Sequence, residues 1–463
     1  MPSAHQENNH VNLPEPADLS KLLPVITYPI EELHNERTKT LKQLLNDGHA
    51  ETAILREPAL KFHTHLPHHL GSAYRLGASS KQLHEAYSAE ANELLAHDHQ
   101  LFYRNDNISR ENWTEFIQQK PQAVAYVDFF DREVQESSGG WKEVVQRYLY
   151  DTKIPLINGL TGGLGHPFIH LAYAYVESDR RKHSPIQHQV LCCTLDHIEL
   201  DYAFENPANF SCHQYRYEFQ SAAVATEALG LACTELDSFY TDLINAPPDN
   251  SKYKTNSLGD IVSAIHRDSR FDGLLHQPGF ENTFQLMYSQ RDLMLEHWNA
   301  WEITDPLQQL EHICDLSVLL AIGTGDAEKQ YDFFLAHLMT VAHALRVLWH
   351  EFPAERRMTI LKEYAMFVMY IYAAQLRRPF DMTSITDFEL EGRDWQWVAT
   401  TALAHEAALD AHFFKVVCAP QAFEGAFGKK QDFYLKAAIK FIVEFNGWTG
   451  FGAGTDGFDP SEA

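Results

Sequence analysis

The chain has no apolar run long enough to cross a bilayer. Its longest, YAMFVMYIYAAQL at 364–376, falls short of the ~20 residues a spanning helix needs and suits a buried helix instead. The opening segment MPSAHQENNHVNLPEPADLS lacks the basic and apolar regions of a secretory signal. It reads as a flexible polar tail over residues 1–22, followed by one domain over 23–463. Cysteine is scarce: Cys192, Cys193, Cys212, Cys233, Cys314 and Cys418 show no C-x-x-C spacing. That excludes a dense disulfide framework, implies reduced thiols and favours a cytoplasmic setting. Basic residues are outnumbered, 37 Lys and Arg against 63 Asp and Glu, and the net charge is -26. Such a field repels nucleic-acid phosphates and anionic lipid, so a small neutral molecule is the expected partner. Nothing in the sequence sets an oligomeric state.

Cofactor fingerprints are missing as well. NGLTGGLGHP resembles a phosphate loop but lacks the G-K-[ST] ending, and GFGAGTDG does not sit at a strand-to-helix turn. No H-E-x-x-H occurs; HEAAL at His405 comes nearest. A carboxylate-bridged di-iron bundle needs two E-x-x-H motifs, and only Glu31 to His34 qualifies. His266 and Asp268 could open a two-histidine, one-carboxylate site, but their helical surroundings do not suit a jelly roll.

Strand-like alternation is rare. Helical periodicity dominates, over roughly 31–47, 80–100, 186–204, 216–245, 283–301, 305–322, 329–350, 354–377 and 393–417. No repeat of fixed period is present. The expected fold is all-α, a single large multi-helical domain with a metal site between helices.

Histidine is abundant, at 26 residues. HTHLPHH places His63, His65, His68 and His69 around a helix start, and GLGHPFIH repeats the construction with His166 and His170. In each, a proline suited to the first helical turn (Pro67, Pro167) aims the histidine before it. His69 falls near the Leu66, Leu70 and Ala73 face, and His68 points away from it. Spacing alone leaves His65 competing with His69, and His166 with His170. In DFFLAHLMTVAHALRVLWH, His337 lies within about 40° of Val341 on the apolar stripe. His343 and His350 fall opposite with Arg346 and are expected in solvent. In WVATTALAHEAALDAHFFKVV, His405 and His412 share a face with Thr401 and Val416, and Lys415 joins His412 at i,i+3. A lysine there either snorkels outward or is buried and shifted toward the neutral amine.

The blocks HTHLPHHLGSAYRLGAS, NGLTGGLGHPFIHLAYAY, AHLMTVAHALRVL, DAHFFKVV and NGWTGFGAGTDGFD resemble the questin oxidase-like proteins of fungi and their bacterial relatives. The resemblance implies a mostly helical fold and oxidative opening of anthraquinone-type polyketide rings. Some members are Baeyer–Villiger-type oxidases. At least one is a non-heme iron dioxygenase with four histidines and a carboxylated lysine. By motif, the implied ligands are His65, His166, His337 and His412, with Lys415 carrying a CO2-derived carbamate. Thr64 stands where asparagine is expected before the first ligand. Neutral imidazoles and one hard anionic oxygen suit Fe2+ and leave a position for O2. His69 or His170 would accept a substrate proton, and Tyr74, Tyr173 and Trp349 would offer stacking walls.

The expected function is therefore iron-dependent oxidative cleavage of an anthraquinone-like ring. The alternatives are NADPH-dependent Baeyer–Villiger insertion on the same substrate class and a non-catalytic helical carrier.

Overall fold

The computed structural model describes residues 13–14, 22, 34–57, 60–103, 108–177, 220–235, 249–325 and 328–454. The expected helix at 186–204, both ends of the one at 216–245, and nearly all of the expected tail lie outside them. Among the described residues the regular secondary structure is almost wholly helical.

The helices are α1 (Glu36–Glu51), α2 (Leu66–Leu76), α3 (Ser80–Ala91), α4 (Ala123–Glu136), α5 (Gly140–Tyr150), α6 (Gly162–Glu177) and α7 (Gln220–Glu235), then α8 (Leu258–Arg267), α9 (Asn282–Ser289), α10 (Arg291–Asn299), α11 (Pro306–Ile322), α12 (Phe333–Leu348), α13 (Arg357–Ala374), α14 (Thr383–Thr386), α15 (Trp395–Ala404), α16 (Ala411–Phe427) and α17 (Phe433–Glu444). Local chemistry sets many of the starts. Asn35 accepts from the Thr38 amide, Ser79 and Gln82 form a reciprocal capping box, and Asp305 accepts from the Leu307 and Gln308 amides. No described helix is long and apolar enough to cross a membrane. Cys233, Cys314 and Cys418 are free and buried.

α12 is the axis of the fold. It packs against α6, α11, α13 and α16, and every residue from Phe333 to Leu348 is buried. This corrects the expectation for His343 and Arg346, which are 9% and 2% exposed rather than solvated. Their face meets other helices, so a polar residue there does not mark water. His343 lies over Phe423, and burial, then the Arg75 and Arg346 charges, lower its pKa to about 3. His350, just past the helix end, is exposed as expected.

Three expected helices are shorter or broken. α3 stops at Ala91 because the following chain returns to α1: the Ala53 amide donates to Leu95 O and the His97 amide to Glu51 O. The span 283–301 divides at Gln290 into α9 and α10. The span 393–417 breaks between Ala404 and Ala411, where Asp410 caps α16 by accepting from the His412 and Phe413 amides. The shared face of His405 and His412 therefore does not exist.

Two short strand pairs bracket the centre of the molecule. β1 (Leu55–Arg56) pairs antiparallel with β2 (Phe62–His63), with Leu55 opposite His63. β3 (Tyr331–Asp332) pairs in parallel with β4 (Trp448–Thr449), bringing the C-terminal segment beside the start of α12.

Candidate metal centre

Four helices present their N-terminal ends to one point. His65 is the residue before α2, with φ -108° and ψ 4°, a backbone set just ahead of Pro67. His166 follows three residues of left-handed backbone at the start of α6: Gly163 (φ 50°), Leu164 (φ 61°) and Gly165 (φ 79°). A side chain is excluded at both glycines. A Cβ on Gly163 would lie 2.6 Å from His63 Nε2, and one on Gly165 would lie 2.3 Å from Val341 Cγ2. The glycines of NGLTGGLGHP thus build a turn that aims His166. His337 lies in the second turn of α12, whose cap Asp332 accepts from the Phe334 and Leu335 amides. His412 occupies the first turn of α16.

The side chains meet closely. Ring nitrogens of His65, His166 and His412 lie within 4.8 Å of one another. His65 Nε2 and His166 Nε2 are 2.9 Å apart. The His337 ring centroid is 5.3 Å from that of His166 and 5.0 Å from that of His412. Lys415, one turn beyond His412, is buried, and its Nζ has no hydrogen-bond partner.

The outer ring nitrogens fix which inner ones hold lone pairs. His166 Nδ1–H donates to Gly163 O at 2.7 Å, and His337 Nδ1–H donates to Phe333 O at 2.8 Å. Both Nε2 atoms are therefore unprotonated in the neutral rings, and that of His337 is buried without a protein partner. Glu90 Oε2 lies 3.9 Å from His65 Nδ1, and Asp410 Oδ1 lies 3.5 Å from His412 Nδ1. The backbone acceptors behind His166 and His337 are the arrangement that orients histidine ligands, and at His65 and His412 a carboxylate stands near the outer nitrogen. Asp410 is held in turn by Trp448 Nε1, which donates to Oδ2 at 2.5 Å.

Charge states suit a cation. Burial holds His65 and His166 well below the usual histidine range, reinforced at His65 by Lys415 and then His412 and at His166 by His63 and then Lys415. His337 is lowered likewise, by burial and then by His412 and Lys415. Burial lowers Lys415 to about 7, only partly opposed by Glu90 and Asp410. Neutral imidazoles and a lysine able to lose its proton can bind a divalent ion; four imidazolium ions could not.

A cavity of about 490 Å³ opens onto His63, His65, His166 and His412. Its walls are mainly apolar, including Phe62, Leu164, Phe280, Met287, Phe333, Phe334, Phe367 and Phe451. A second, polar cavity of about 460 Å³, lined by Arg56, Glu90, Glu93, Glu406 and Asp410, reaches His65 from another side.

The remaining expected residues fall behind or away from these spaces. His69 Nε2–H donates to Ala408 O at 3.2 Å, and His170 Nε2 lies 3.1 Å from Glu227. Neither lines the substrate-sized cavity. Tyr74 is turned toward α1, its hydroxyl 2.8 Å from Thr38 Oγ1 and its ring under Arg37. Tyr173 stacks on His68 and bonds Ser72, and Trp349 lies under Arg357 at the far end of α12. These three aromatics are buried packing rather than cavity walls. The aromatic walls come instead from β2 (Phe62), the segment before α9 (Phe280), α12 (Phe333, Phe334), α13 (Phe367) and the C-terminal segment (Phe451), and of these Phe280, Phe367 and Phe451 stand far in sequence from any of the histidine motifs.

Two nearby histidines were visible in the opening cluster but not singled out. His63 stacks on His166 at 4.4 Å and bonds Glu235 at 3.1 Å. His68 is turned toward α6, against His170 and Tyr173, and is fully buried there, 6.1 Å from the rings of both His65 and His166, with no partner for either nitrogen.

Comparison with known proteins agrees with this architecture. Residues 62–181 and 213–419 match the questin oxidase-like family. A curated relative, Baeyer–Villiger oxidase AgnL3 of Paecilomyces divaricatus, is 22% identical over 381 residues, covering 77% of this chain and 73% of its own. The match runs through His65, His166, His337, His412 and Lys415 alike, and the chain belongs to the questin oxidase-like family.

Proposed function

We propose that the protein is a non-heme iron oxygenase that opens a ring of an anthraquinone-type polyketide. The observation that carries this reading is the convergence of His65, His166 and His412 nitrogens at the floor of a mainly apolar cavity. His65, His166, His337 and His412 would hold Fe2+, with Lys415 as a carbamate supplying an anionic oxygen. The ion, when bound, supplies O2 binding and activation.

The protein's own groups do the rest. Phenyl walls such as Phe333, Phe367 and Phe451 bind a flat aromatic face and exclude water. Backbone carbonyls at Gly163 and Phe333 hold two imidazoles in the ligating tautomer. Lys415, near 7, has enough neutral amine at physiological pH to attack CO2: the N–C bond forms and one N–H proton leaves. The expected proton acceptors His69 and His170 do not reach the cavity, so a phenolic proton passes instead to a group that does. His63, bonded to Glu235 and lining the cavity, fits that role.

A second reading is monooxygenation of Baeyer–Villiger type, favoured by the activity in the relative's name. The two differ in electron count. Dioxygenation places both oxygen atoms in the product and needs no external reductant. Monooxygenation sends one atom to water and needs two electrons and two protons, which NADPH, as a hydride, and one proton from solvent would supply. The test is elemental analysis of protein purified without added metal, then turnover of a hydroxyanthraquinone under labelled O2. Iron at about one per chain and two labelled atoms support the proposal, and one labelled atom supports the second reading. Turnover unaffected by complete metal removal would sink the iron-dependent reading, and ligand binding without turnover would leave a carrier.

A further inference from the structure

The polar cavity beside His65 is poorly suited to a flat aromatic molecule, yet it reaches the same imidazole cluster. It is about as large as the apolar cavity, 460 Å³ against 490 Å³, but its lining is of another kind. One arginine, Arg56, faces four carboxyl groups there: Glu90 and Glu93 from the end of α3, and Glu406 and Asp410 from the break before α16. The early stop of α3 and the break in 393–417 are what gather these acids on one cavity. Around the apolar cavity the balance is reversed, with Arg56, Lys61 and Lys120 against Glu235 and Glu281.

The acids are graded in depth. Glu406 is exposed, the Glu93 side chain is 46% exposed, and those of Asp410 and Glu90 are 18% and 10% exposed. Glu90 is innermost, its Oε2 3.9 Å from His65 Nδ1, while His65 Nε2 lies 2.9 Å from His166 Nε2. His65 thus has one edge on the polar cavity and the other on the cluster. Of the five candidate ligands, it is the one that lines this cavity.

Acids in a row do not make a site, but these lead to nitrogens that want a cation. His337 Nε2 belongs to a side chain 1% exposed and has no protein partner, although buried polar atoms are almost always satisfied. A divalent ion sheds its water only where other oxygens replace it. Phenyl walls offer none. Carboxylates supply both the oxygens and a field, and a cleft lined by charge of one sign speeds capture of the opposite charge roughly 10- to 1,000-fold.

We propose that Glu406, Glu93, Asp410 and Glu90 form a loading path that delivers the divalent ion to His65, separate from the apolar cavity that admits the aromatic substrate. The path rests on the reading of the imidazole cluster as a metal centre. No covalent bond changes: water on the ion is exchanged for carboxylate oxygen and then for imidazole nitrogen. A bound aromatic molecule therefore does not bar the ion.

The test is the rate of Co2+ uptake by the full-length, chelator-stripped chain, followed by stopped-flow visible absorption. Imidazole-rich sites take Co2+ at least as readily as Fe2+. The band of the centre is the one that His337→Ala removes. Glu93→Gln combined with Glu406→Gln changes two exposed side chains outside the ligand set. The pair should slow filling about tenfold at low salt, flatten its decline with ionic strength and leave the final band unchanged. Glu136→Gln combined with Glu391→Gln removes the same charge from surface that lines neither cavity, and should leave the rate within about twofold. Lys61→Gln, on the apolar cavity, should also leave it unchanged. Filling of the acidic pair at the parent's rate, equal slowing by the distant pair, or faster filling in Lys61→Gln would each overturn the path. Absence of such a band in the parent is a distinct result, which would sink the metal reading and the path together.

Discussion

Replacing Lys415 with methionine should make the metal-free protein more stable while destroying its hold on iron. Lys415 is 2% exposed, with no hydrogen bond to Nζ, and its pKa lies near 7 against an ordinary 10.5. Because the folded value is the lower one, the folded state is penalised wherever the unfolded chain would carry the charged amine. The penalty is full below about 7 and vanishes as pH rises through the ordinary lysine value. At about pH 7.5 it amounts to something on the order of 4 kcal/mol. Methionine has similar length and no charge, so Lys415→Met should recover on the order of 2–4 kcal/mol after repacking losses. The assay is chemical denaturation of chelator-treated protein from neutral to alkaline pH, beside iron content of untreated protein. The parent's stability should climb with pH over that range by an increment the variant lacks, and the variant's iron content should fall about tenfold or more. A variant that is less stable at every pH, with iron content intact, would refute the reading of Lys415 as a buried amine serving the centre.

Three further outcomes probe separate parts of the structure. His343→Ala should cost about 2 kcal/mol by opening a void against Phe423, yet leave bound iron unchanged, as elemental analysis would register. Glu363 is buried with an unpartnered Oε1, and burial raises its pKa to about 8. Its raised folded value means that its stability contribution is intact below the ordinary carboxyl range and lost as pH rises toward 8. Glu363→Gln should therefore stabilise by on the order of 1–3 kcal/mol near pH 8 and by almost nothing near pH 4, measured by denaturant titration. Met287→Trp should fill the apolar cavity and weaken binding of a hydroxyanthraquinone roughly tenfold without altering iron content, read by quenching of tryptophan fluorescence.

The residues show where sequence periodicity carries an argument and where it stops. His337 was legible because it sits on an apolar stripe at helical spacing, and Lys415 because an amine on that kind of face must be either shifted or displaced to water. His343 was misread by the same logic, since an opposite face implies solvent only for a helix packed on one side. α12 is packed on all sides. The run from 393 to 417 looked continuous because alanines carry a helix through any window; the break comes from Asp410, whose side chain caps α16 and is fixed by Trp448, 38 residues on. The cavity walls Phe280, Phe367 and Phe451 and the pairing of His170 and His49 with Glu227 were beyond reach for a related reason. Glu227 carries no local signature, and its role exists only because α1, α4, α6 and α7 set His49, Asp131 and His170 around it. What the sequence did contain was a way to end helices toward a common point: a proline after His65 and after His166, and an aspartate cap before His337 and before His412. N-terminal helix ends carry partial positive charge, so gathering four of them around a dication is unfavourable unless an anion joins it. That electrostatic demand is independent of any resemblance, and in the proposed centre it would be met by a negative ligand: a carbamate on Lys415, a substrate phenolate, or both in turn.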